Sequence, residues 1–74
     1  MVNTYIKNKF AERIKELRLE NNLTQKELGE KLGYKKNSVC NWEARGKEPS
    51  FDVLLQIAIL FKVSTDYLLG LEND

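Results

Sequence analysis

The sequence contains no histidine and one cysteine, Cys40. A lone cysteine excludes an intramolecular disulfide, and without histidine the usual Cys/His zinc clusters lack a ligand set. There is no phosphate-binding glycine loop and no carboxylate pair of evident purpose. An enzyme is therefore not expected, and no cofactor, metal or small-molecule ligand is implied. A single proline and four glycines argue against collagen-like repeats or a low-complexity chain. Long apolar runs are missing too. "VLLQIAILF", residues 53–61, is interrupted by Gln56 and falls well short of the roughly 20 residues of a membrane span. "MVNTYIKNKF" has no apolar region before a small-residue cleavage site, so a secretory signal is not read there. The expectation is a cytoplasmic protein with no membrane association.

The 74 residues are 42% hydrophobic and 31% charged, which fits one folded helical domain over 1–74. Folding of so short a chain buries only about 60% of its unfolded surface, so there is room for one core. The net charge of +1 conceals an uneven distribution. Residues 31–47 hold Lys31, Lys35, Lys36, Arg45 and Lys47 against Glu43 alone. Residues 48–74 hold Lys62 against Glu48, Asp52, Asp66, Glu72 and Asp74. Phosphates would be attracted to the first stretch and repelled by the second.

Ile6, Phe10, Ile14 and Leu17 recur with the period of one helix face and predict a first helix over about 5–21. "TQKE" at 24–27 is a capping box that starts a second helix, about 25–32, closed by Gly33. A third helix follows over about 36–44, with a weak cap because Lys35 cannot accept a hydrogen bond. Ser50 caps a fourth over 51–61, and "VSTD" caps a fifth over 65–69, ending at Gly70. No strand-like alternation appears.

At about 100° per residue the third helix divides into two arcs. Val39, Trp42 and Glu43 lie on one; Lys36, Asn37, Cys40 and Asn41 lie on the other. Trp42 is expected in the core, although an aromatic can also stack on bases. Asparagine is a poor helix former, so propensity does not explain two of them within about two turns. Its amide pairs with the major-groove edge of adenine, and lysine donates to guanine or phosphate. A plain solvent-facing helix accounts for these four positions equally well.

The wider pattern tips that balance. "RIKELRLENNLTQKELGEKLG", "NSVCNWE" and "PSFDVLLQIAILFKVSTDYLLG" together resemble the phage-repressor and Cro group of helix-turn-helix regulators, the xenobiotic-response-element type. The likeness covers nearly the whole chain. It implies an all-α, compact five-helix, lambda-repressor-like domain whose third helix lies in the major groove while the second crosses the backbone. It implies that Lys36, Asn37 and Asn41 contact bases, that Gln25, Lys35, Ser38, Arg45 and Lys47 contact phosphates, and that Arg18 and Glu43 form a structural ion pair. The helix wheel independently places Arg18 at the rim of the first apolar arc and Glu43 beside Val39. The expected activity is that of a transcriptional regulator, a repressor, binding a palindromic double-stranded DNA operator as a homodimer. The fourth helix has more apolar residues than one face buries, and Leu55 and Ile59 are assigned to the dimer interface. The alternative is a protein-interaction module, an antitoxin or adaptor, that uses the same apolar surface. Two departures stand out: Lys35 replaces the usual Ser or Thr cap, and Arg45 with Gly46 shifts the glycine after "WE" by one place. Gly29 stands where the family favours alanine, keeping the helices close at a helix-propensity cost of about 1 kcal/mol.

Overall fold

In the computed structural model, residues 2–44 and 47–72 are described. The chain forms α1 (Val2–Glu20), α2 (Gln25–Leu32), α3 (Lys36–Glu43), α4 (Phe51–Phe61) and α5 (Thr65–Leu69). Every regular element among the described residues is helical, and no helix among them is long and apolar enough to cross a membrane.

The caps lie where side-chain chemistry places them. Thr24 accepts from the Glu27 amide at 3.0 Å, and the Glu27 carboxylate accepts from the Thr24 amide at 2.8 Å, completing the box. The Thr24 amide first, and its hydroxyl second, hold the Glu27 carboxyl below its ordinary range. Ser50 and Ser64 cap α4 and α5 in the same way, through the Val53 and Tyr67 amides. Lys35 makes no side-chain cap.

Four helices end by turning into the left-handed region, at Asn22, Gly33, Lys62 and Gly70. In each case the next amide reaches back to a carbonyl five residues earlier, as Tyr34 N–H does to Gly29 at 2.8 Å. Glycine adopts this conformation freely and asparagine tolerates it, whereas Lys62 bears a cost on the order of 1 kcal/mol.

Two boundaries differ from the sequence expectation. α1 begins at Val2 and not near residue 5: Val2 stands four residues before Ile6 and continues the apolar spacing, and nothing in residues 2–4 prevents the helix from propagating. α3 stops at Glu43, with Ala44 as its cap residue, one position before the expected end.

All five helices contribute to one core: Phe10, Ile14 and Leu17 from α1; Leu28 and Leu32 from α2; Val39 and Trp42 from α3; Val53, Ile57 and Ala58 from α4; and Leu68 from α5. Arg13, which has no motif to betray it, clamps α1 to the end of α5. Its Nη1 donates to the Tyr67 and Glu72 carbonyls at 2.8 and 2.7 Å, and its guanidinium lies 4.2 Å from the centre of the Tyr67 ring. A cation is favoured at a helix C-terminus, and here it adds a second bond to the Tyr67 carbonyl, which already accepts from the Gly70 amide at 3.1 Å. Tyr5 adds a bond from its hydroxyl to the Gly70 carbonyl at 2.9 Å. α5 thus packs on α1 and α4, and α1 in turn packs on α3.

Candidate nucleic-acid interface

The α2–α3 corner is built on a close backbone approach. A Cβ added at Gly29 would lie 2.8 Å from the Tyr34 carbonyl oxygen and 3.1 Å from the Lys35 carbonyl carbon. The glycine therefore makes room for the backbone of the turn, which the sequence alone does not specify. Alanine would gain about 1 kcal/mol of helix propensity, but overpacking against atoms that cannot swing aside costs about 1–3 kcal/mol. Gly29→Ala is accordingly expected to lower the denaturant midpoint; a midpoint equal to or above the parent's would refute the steric account. The Tyr34 ring turns back from this corner and meets Trp42 edge-on, with ring centres 5.5 Å apart.

This corner fixes which side of α3 faces outward. Val39 and Trp42 are buried, while Lys36, Asn37, Cys40 and Asn41 are all exposed. The structure thus brings the three expected base-contacting residues onto one accessible face. Lys35 is exposed just ahead of it, and Ser38 is half-buried. Lys47 is exposed after α3, beside Lys7 on the rim of an apolar hollow under α4. Arg45 lies outside the described residues.

At the start of α2, the amides of Gln25 and Lys26 have no carbonyl in their own helix to bond, so this end favours an anion. Thr24, Gln25, Lys26 and Lys36 line a shared open hollow that has no carboxylate in its lining.

Behind the hollow lies the Arg18–Glu43 pair. Arg18 Nε donates to Glu43 Oε2 at 2.6 Å, and Nη2 donates to Oε1 at 3.0 Å. Their side chains are only 10% and 5% exposed. The hydrogen bond to Glu43 raises the Arg18 pKa further above its already high value, against the opposing effect of burial. Arg18 Nη1 also donates to the Leu23 carbonyl at 2.9 Å, securing the turn before Thr24. Gln25 joins the pair: its Nε2 donates to Glu43 Oε1 at 3.1 Å. The family resemblance implies a phosphate contact for Gln25 but not this inward bond, because neither wheel nor motif gives the distance between α2 and the end of α3.

Away from α3, Leu55 and Ile59 are exposed on α4, Ile59 by 68%. Phe51, one turn before Leu55, is 91% exposed and extends the same stripe.

A helix pair locked at a glycine corner, its second member presenting amides and ammonium groups beside an anion-favouring helix end, is the architecture of a DNA-binding helix-turn-helix domain. The chain belongs to the helix-turn-helix family, of the Cro/C1 type; the family model, described as "Helix-turn-helix", matches residues 14–68. The chain is 42% identical over 65 residues to the uncharacterized HTH-type transcriptional regulator YobD of Bacillus subtilis, covering 88% of this chain and 58% of that protein. It is 46% identical over 61 residues to the HTH-type transcriptional regulator ImmR of the same organism, covering 82% and 48%. The chain thus spans about half the length of these relatives. Among solved structures it is similar to the P22 c2 repressor crystallised with a synthetic operator, with a TM-score of 0.79 and 30% identity over 85% of this chain and 96% of that one.

Proposed function

We propose that the chain is a sequence-specific double-stranded DNA-binding unit of a transcriptional regulator, a repressor that acts by occupying its operator. The observation that carries this reading is the outward face of α3, where Lys36, Asn37 and Asn41 stand exposed while Val39 and Trp42 anchor the opposite face. The operator seated on the similar P22 c2 repressor supports it. In this reading Lys36, Asn37 and Asn41 contact base edges in the major groove. Gln25, Lys35, Ser38 and Lys47, with Arg45, contact phosphates and set register without reading sequence.

Selection of bound sites from random DNA, followed by titration of substituted proteins at several salt concentrations, tests this assignment. Asn37→Ala and Asn41→Ala are each expected to lose about 1–3 kcal/mol of discrimination between selected and random sites, with little change in affinity for random DNA. Equal losses on both kinds of DNA would remove them as base readers. Affinity throughout should fall steeply with salt, as phosphate contacts release counterions.

The exposed stripe on α4 supports assembly as a symmetric homodimer through Leu55 and Ile59, which would set two recognition helices about 34 Å apart on a palindromic operator. Sedimentation should give a mass that rises with concentration, and Ile59→Asp should hold the protein at the monomer mass. A parent mass independent of concentration would count against this interface. The same stripe supports a second reading, an antitoxin or adaptor surface. A stoichiometric partner masking α4, with no DNA retardation at low salt, would favour that reading.

A further inference from the structure

We infer that Glu43 is a positioning residue for DNA binding: it fixes the side-chain amide of Gln25 in the orientation that meets phosphate, in addition to pairing with Arg18. The inference rests on the DNA-binding reading and deepens it. An ionised carboxylate only accepts hydrogen bonds, so Gln25 must turn its NH2 group, not its carbonyl, toward Glu43 Oε1. The flip of the amide is thereby determined. One N–H of Gln25 is engaged inward, and the second N–H and the carbonyl are left for the hollow that Gln25 shares with Lys26 and Lys36.

Glu43 can impose this because it is itself immobilised. Both its oxygens are engaged by the Arg18 guanidinium, which is also bonded to the Leu23 carbonyl. The chain of contacts runs from α1 through the end of α3 to the first residue of α2, joining the interior to the surface that meets DNA. A surface glutamine without such a partner samples several rotamers and loses that freedom on binding. Holding it beforehand removes the loss, and ordering a side chain of this kind corresponds to about two- to tenfold in affinity.

The test is a double-mutant cycle with Gln25→Ala and Glu43→Gln, measured by fluorescence anisotropy on a short mixed-sequence duplex at low salt, with thermal melts of all four proteins. Mixed-sequence DNA suffices because a phosphate contact is independent of sequence. Gln25→Ala is expected to weaken binding about tenfold. Glu43→Gln should weaken it about two- to tenfold with Gln25 present and cause no further loss in the Gln25→Ala background, while lowering the melting temperature in both. A purely structural Glu43 would instead give the same loss of affinity in both backgrounds, and that result overturns the inference. If Glu43→Gln does not fold, Glu43→Asp gives the same cycle, since it keeps a charge opposite Arg18 and withdraws the carboxylate from Gln25. Parent protein that binds DNA but is unaffected by Gln25→Ala overturns this inference alone; parent protein that binds no duplex overturns the DNA-binding reading with it.

Discussion

Trp42→Ala is expected to destabilise the domain by about 3–5 kcal/mol, the usual cost of emptying a buried tryptophan site. A chain of 74 residues holds a total of only about 4–11 kcal/mol, so much or all of the folded population is at stake. The indole is 5% exposed, lies within the core cluster and is met edge-on by Tyr34. Tyr34 belongs to the turn between α2 and α3, so removal of the indole also undermines the angle at which α3 is presented. The competing role, a platform for stacked bases, predicts the opposite division of effects: a normal melt with impaired DNA binding. Denaturant unfolding followed by far-UV circular dichroism decides between them. Trp42→Phe, which retains most of the apolar volume, should recover much of the lost stability; a Trp42→Ala protein as stable as its parent would exclude the core role.

The parts of the fold that rest on local chemistry were legible in the sequence. "TQKE" identified Thr24 as the α2 cap because the reciprocal bonds of a capping box require those residue types at that spacing. Gly33 and Gly70 marked helix ends because a left-handed residue without a Cβ carries no steric cost. The division of α3 into a buried arc and an exposed arc followed from the helical period alone, and Val39 and Trp42 on one side with Lys36, Asn37, Cys40 and Asn41 on the other is what the structure contains.

Features that depend on distances between elements were not legible. Arg13 looks like any surface arginine until α5 is placed against α1 and two carbonyls come within reach. Phe51 reads as one more apolar residue of a hydrophobic helix, and only packing shows that it is left outside with Leu55 and Ile59. Gly29 was recognisable as small, but the atom that requires it to be glycine, the Tyr34 carbonyl oxygen, is a consequence of how the turn closes. Lys62 gives no local signal either. Its left-handed backbone is imposed by the connection from α4 into α5, where the sequence offers no glycine.

The second large effect is expected at the other end of the same helix. Glu43→Ala should cost about 3 kcal/mol, which for a domain of this size lowers the melting temperature by more than about 10 °C. Most of that is not the loss of attraction but the state in which Arg18 is left. Among the described residues its guanidinium would keep only the Leu23 carbonyl as a partner, at a position where Arg18 is 8% exposed. A charge cannot remain there without either pulling water into the α1–α3 interface or dragging α1 outward. Gln25 would lose its inward anchor at the same time. Because the penalty belongs to the orphaned cation, removing both partners should be milder than the sum of the single losses: Arg18→Met combined with Glu43→Leu, which fills the space with apolar atoms, is expected to restore part or all of the lost stability. Calorimetric or denaturant unfolding of the parent, the single variant and the double replacement provides the check. Two outcomes would remove the pair from any part in holding α1 to α3: a melt unchanged by Glu43→Ala, or a double replacement no more stable than the single.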